Sequence, residues 1–183
     1  MTDVVDLIVQ DHRELQRMFE ELRSDRSKRK ALAPVMSTLL FAHIRAEESE
    51  VYPRARAAGG EDDVEHSQEE HLAADQLAER LTGLDPESDE FGSVLEELVE
   101  AVTHHLEEEE ESVLPHMREQ MSTDDLTDLG ERFLSARAKH LGEQPDDMTK
   151  SQLEQQARNI DLEGASSKSK DELKSELEEH ADL

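Results

Sequence analysis

Four stretches of this chain carry apolar residues at alternating steps of three and four, and each stripe includes a histidine. Val5, Ile8, His12, Leu15, Phe19 and Leu22 form the first stripe, and Leu32, Met36, Leu39 or Leu40, His43, Glu47 and Val51 the second. Val64, His71, Ala74, Leu77 or Ala78, and Leu81 form the third; Phe91, Leu95, Leu98, Val102, His105, Glu109 and Val113 form the fourth. That period puts each set on one face of an α-helix, and so long an apolar face must be buried against other helices. The connections AAGGEDD and LDPESDE are short, so the four helices fold back on one another as an antiparallel four-helix bundle. The second helix is expected to begin near Ser27 or at Pro34 and to stop before Pro53, the third to stop at Gly83, and the fourth at Pro115. A fifth helix, DDLTDLGERFLSARAKHL, capped by Ser122, is expected to cover one end or side of the bundle.

Composition supports an all-α chain. Aromatic residues make up 3% of it, with no Trp and one Tyr, while Leu, Ala, Glu, Arg and Gln recur throughout. The net charge of −27 disfavours any partner held through phosphate, nucleic acid or anionic membrane alike. With no Cys, a metal would have to be held by His and carboxylates. No basic leader with an apolar run opens the chain and no stretch approaches a membrane span, so a soluble, cytoplasmic protein is the expectation.

Residues 43–53, HIRAEESEVYP, recur at 105–115 as HLEEEEESVLP, sharing the His, the Glu-Glu pair, the Val and the closing Pro. Each copy follows a helix with one inward histidine, His12 or His71, at separations of 31 and 34 residues. The chain therefore reads as two related helical hairpins. Residues i and i+4 lie on adjacent turns of one face, so His43 with Glu47 and His105 with Glu109 can aim at one spot between the helices. Buried and unpaired, two carboxylates and four imidazoles would be costly; two cations among them remove the cost. The register His104 with Glu108 also satisfies the spacing, although the repeat and the stripe through Val102 favour His105 with Glu109. His66, His104, His116, His140 and His180 are expected in solvent, His66 or His104 alternatively supporting a ligand from outside. Glu48 and Glu110 are expected as solvated neighbours of the inward glutamates. Tyr52 reads as core filler, or as a donor or gate beside the centre.

The order His, HxxxE, His, HxxxE over residues 1–120 resembles the hemerythrin-like family in its HHE cation-binding branch. The resemblance implies a non-haem diiron centre of two Fe ions with an oxo or hydroxo bridge. His12, His43, His71 and His105 would be its terminal ligands, Glu47 and Glu109 its bridging carboxylates. It implies binding or sensing of O2 or a related small oxidant, peroxide or NO; the alternative is a diiron enzyme that consumes peroxide or NO. Oxygen carriers of the family have a fifth histidine at the position of Ser67, so water, Glu70, His66 or an exogenous ligand would complete that iron. Ferritin-like bundles, the nearest rival, use more carboxylate and fewer imidazoles.

After the linker GEQPDD, two short helices follow, each with a capping box, Thr149 with Gln152 and Ser169 with Glu172. This segment resembles the helix-extended-helix module at the N-terminus of transcription termination factor Rho. That resemblance implies a further alternative, a redox-responsive regulator touching DNA through Lys168, Lys170 and Lys174. Acidic residues outnumber basic ones here, so a structural or protein-contact role is favoured. The expected organisation is residues 1–142 for the bundle with its added helix and 143–183 for linker and module. The oligomeric state is not legible.

Overall fold

The computed structural model describes residues 2–143 and 147–181. The centre of the GEQPDD linker lies outside the described residues. Helix α1 (Val4–Ser24) is followed by a 3-10 turn (Arg26–Lys28), α2 (Arg29–Ala46), a π-helical turn (Glu47–Val51), α3 (Tyr52–Ala57), α4 (Glu61–Thr82), α5 (Asp89–Glu111), α6 (Val113–Gln120), α7 (Thr123–His140), α8 (Lys150–Asn159) and α9 (Lys170–Glu178). No strand occurs among the described residues, and none of their helices is long and apolar enough to cross a membrane. Caps follow local chemistry: Asp3, Ser88 and Ser122 accept backbone N–H groups at the starts of α1, α5 and α7. Both expected capping boxes form, Thr149 with Gln152 and Ser169 with Glu172.

Helices α1, α2, α4 and α5 make a closed square, each touching the next and α5 returning to α1. The layout is the expected antiparallel bundle. Helix α7 lies along α1 and α2. It approaches α1 so closely at Gly130 that an added Cβ would stand 3.2 Å from both the Leu7 side chain and the Val4 backbone nitrogen.

The prolines differ from expectation. Helix α2 starts at Arg29, leaving Pro34 inside it on the exposed side. Pro53 does not end its helical run, which passes through the π turn into the first turn of α3, whereas α5 does end at Glu111 ahead of Pro115, which falls in the first turn of α6. Proline cannot donate to the carbonyl four residues earlier and pushes against it. The π turn before Pro53 and the break at Ser112 before Pro115 relieve that conflict.

Two apolar cores fill the bundle. One includes Leu15, Phe19, Met36, Leu40, Leu77, Leu95 and Val102. The other includes Val5, Ile8, Val51, Tyr52, Val64, Val113 and Phe133. His12, His43, Glu47, His71, His105 and Glu109 fall between them along every helix, so a buried polar layer divides the two. A third cluster joins Leu153, Ala157, Leu173 and Leu177 of the C-terminal helices to Leu72 of α4, so these helices are packed on the bundle.

Candidate metal centre

The six inward residues of the two hairpins meet in that polar layer. His12 Nε2 lies 3.3 Å from Glu109 Oε2, and His43 Nε2 lies 3.1 Å from Glu47 Oε1. His71 Nε2 lies 3.4 Å from Glu47 Oε2 and 3.0 Å from His105 Nε2. His12, His43 and Glu47 form one group with metal-ligand spacing, and Glu47, His71 and His105 form another, so one carboxylate serves both. Glu109 stands beside His12. The register on α5 is the one favoured by the repeat: His105 and Glu109 are buried, whereas His104 is exposed.

An outer ring of carboxylates faces the other side of these imidazoles, each supplied by the preceding helix of the square or the turn after it. Asp11 on α1 lies 3.3 Å from His43 Nδ1, and Glu70 on α4 lies 2.9 Å from His105 Nδ1. Glu110 on α5 closes the ring on α1, 2.8 Å from His12 Nδ1. Glu48, in the π turn after α2, stands 3.6 Å from His71 Nδ1, beyond hydrogen-bond range but on the same side. When Nδ1–H donates outward, the Nε2 lone pair turns inward, which is how metal-binding histidines are generally oriented. Glu48, expected in solvent, is therefore buried; the π turn brings it inside along with Glu47. His140, also expected in solvent, is buried with Nδ1 2.9 Å from Glu143.

The inner atoms face one another within ion-pair distance, yet most of them make no hydrogen bond. His12 Nε2, His43 Nε2 and both oxygens of Glu47 and Glu109 make no hydrogen bond. His71 Nε2 and His105 Nε2 confront each other at 3.0 Å, a repulsive contact when both carry lone pairs. A cation between such groups converts each of these costs into a bond, so the donor set fits a metal pair without sulfur ligands. Burial opposes charge on His43, but attraction to Glu47 and the bond to Asp11 outweigh it and raise its pKa to about 10. Burial likewise opposes charge on His71, yet Glu47 and Glu48 raise its pKa to about 9. Glu47 resists desolvation and is held well below the usual carboxylate range by His43 and His71.

Tyr52 is fully buried with its hydroxyl 3.0 Å from His71 Nε2. Ser67, one turn ahead of His71 on α4, is also buried. Burial and four surrounding carboxylates, Glu109 first, push the Tyr52 phenol well above its usual pKa, so it keeps its proton. From the C-terminal segment, Gln156 donates to Glu48 Oε1 at 2.9 Å, and Asn159 donates to the Glu48 carbonyl at 3.2 Å and to Gln68 at 2.7 Å. Arg45 donates to the other Glu48 oxygen at 2.8 Å. Sequence periodicity gave no sign of this reach from a distant helix.

A protein named DNA nickase, from Nostoc sp., is 27% identical over 139 residues, covering 75% of this chain but only 40% of that protein. An uncharacterised hemerythrin-like protein of Schizosaccharomyces pombe is 26% identical over 140 residues, covering 73% of this chain and 68% of its own length. No solved structure matches significantly. The hemerythrin HHE cation binding domain matches residues 3–117, the span that carries all six inward residues, and the chain belongs to that family.

Proposed function

We propose that the polar layer holds two iron ions through His12, His43, Glu47, His71, His105 and Glu109, and that the centre binds or senses O2 or a related small oxidant such as peroxide or NO. The observation that carries this reading is the set of buried inner atoms on His12, His43, Glu47 and Glu109 that converge without making a hydrogen bond. Reduced iron would supply electrons and open coordination positions for such a ligand. The chain contributes orientation and dryness: the outer carboxylates aim the imidazoles, and the two apolar cores exclude water. Neutral imidazoles leave less negative charge on the ions than a carboxylate-rich set would, which favours reversible binding over forceful oxygen activation. The Tyr52 hydroxyl is poised beside His71, 3.0 Å from its Nε2. It supplies a proton donor there, or a ligand oxygen once a cation lowers its pKa.

Metal content of protein purified without added metal tests this, together with absorption spectra through reduction and re-exposure to air. Two irons per chain with charge-transfer bands that bleach and return are expected. Folded protein that takes up no iron would overturn the proposal. Rapid catalytic loss of hydrogen peroxide over the loaded protein would favour the enzyme alternative.

The name of the Nostoc relative raises the DNA-contacting alternative again. Against it, two of the three lysines that would face phosphate are already committed. Lys168 pairs with Glu176 at 2.6 Å and Lys174 with Glu79 at 3.2 Å. A gel shift of a DNA fragment at low salt would revive that reading.

A further inference from the structure

Three of the four outer carboxylates also bind an arginine. Asp11 pairs with Arg137 at 2.6 Å, Glu48 with Arg45 at 2.8 Å, and Glu110 with Arg13 through both oxygens. Glu70 has no arginine among the described residues. Its Oε2 meets His105, while its Oε1 makes no hydrogen bond although the residue is only 7% exposed. That free oxygen points at two imidazoles, 3.9 Å from His66 Nε2 and 3.9 Å from His104 Nε2. Glu108 spans the same pair, 2.9 Å from His66 Nε2 and 3.3 Å from His104 Nε2. His66 with Glu70 and His104 with Glu108 are both spaced i, i+4, one pair on α4 and one on neighbouring α5. The spacing used in the inner layer is thus repeated on its rim.

We propose that His66, Glu70, His104 and Glu108 form a third cation site, taking a divalent transition-metal ion where the other three carboxylates take an arginine. Two imidazoles and two carboxylates suit zinc, cobalt or ferrous iron, and solvent at this rim completes the coordination. Calcium, which needs more oxygen ligands, is a poorer fit. An ion there neutralises Glu70 and Glu108 and sits one carboxylate away from His105, linking the rim to the inner layer. The site does not depend on which metal occupies that layer.

The test is calorimetric titration with Zn2+ and spectroscopic titration with Co2+ of the full chain, after its resident metal has been quantified. Wild type is expected to take up one more saturable equivalent than the His66→Ala/His104→Ala variant, with the inner-centre spectrum and resident metal unchanged. The exposed pair Glu96→Gln/Glu100→Gln, elsewhere on α5, should titrate as wild type. Equal uptake by wild type and the histidine variant would overturn the site. So would an equal loss in the Glu96/Glu100 control, which would mark adventitious binding to an acidic surface. Should the chain carry no inner metal, the difference between wild type and the histidine variant would still decide the rim site alone.

Discussion

At the scale of single residues, the inner layer is a balance between unpaired charge and whatever neutralises it. His43→Ala and His105→Ala should each lose bound metal. Stripped of one partner, the buried carboxylates should destabilise the fold by about 3–5 kcal/mol. Metal analysis and thermal melts would check this, and a variant that kept two irons would remove that histidine from the ligand set. Asp11→Asn and Glu110→Gln, which leave the Nε2 donors in place, should instead weaken metal binding about 10–100-fold while the fold survives. Protons compete for the same atoms. With folded values of about 10 and 9, above the free-histidine value, His43 and His71 are charged at pH 7 in the metal-free chain. Their stabilisation is complete below the unfolded pKa and is lost as pH rises through about 9 to 10. Metal uptake at pH 7 should therefore release protons and strengthen with pH, by about tenfold per unit for each proton displaced. Calorimetry in buffers of different ionisation enthalpy reads this directly; uptake without proton release would contradict it. The inward positions were legible because a histidine or glutamate on an apolar stripe violates the pattern around it. The roles of Asp11, Glu48 and Glu110 were not, because one step around a helix from the stripe they resemble ordinary solvated carboxylates; Glu70 was expected only as a group to complete an iron, not as the partner of His105 Nδ1. Their shared signal is adjacency: each sits next to an inward His12, Glu47, His71 or Glu109.

At the scale of elements, the π turn and the C-terminal helices act on one residue, Glu48. The turn brings it inside, and Gln156 and Asn159 of α8 hold its side chain and carbonyl. Asn159→Leu leaves the Glu48 carbonyl and the Gln68 oxygen without that donor, at a cost of about 1–3 kcal/mol. Because Glu48 also faces His71, the same change should weaken metal binding, whereas an exposed α8 substitution such as Arg158→Ala should not. Parallel melts and metal titrations would separate the two. If Asn159→Leu lowered stability but left affinity intact, α8 would be packing alone. Helix existence and the stripes were legible from period, and both capping boxes from their residues. The π turn was not, since Pro53 was read as a stop although a widened turn lets the helix run past it. The docking of α8 was hidden too, because a Gln and an Asn within a polar helix carry no periodic mark.

For the whole molecule, the acidic excess sets the response to salt. The chain has 47 acidic and 20 basic side chains. Were every basic group paired once, a net charge of −27 would still lack compensation, and its self-repulsion opposes the compact state. Surface ion pairs such as Arg23 with Glu96 and Arg80 with Glu97 pull the other way, since salt screens them as well. Each is worth only about 0–1 kcal/mol, so relief of repulsion should win. Raising salt from about 0.01 M to 0.5 M shortens the screening length from roughly 30 Å to a few ångströms, and the melting temperature should rise by several degrees. The measurement belongs on metal-loaded protein, where the carboxylates of the inner layer are already neutralised and the response reports the surface. A melting temperature that fell with salt would mean that the ion-pair network, not the net charge, governs the stability of this bundle.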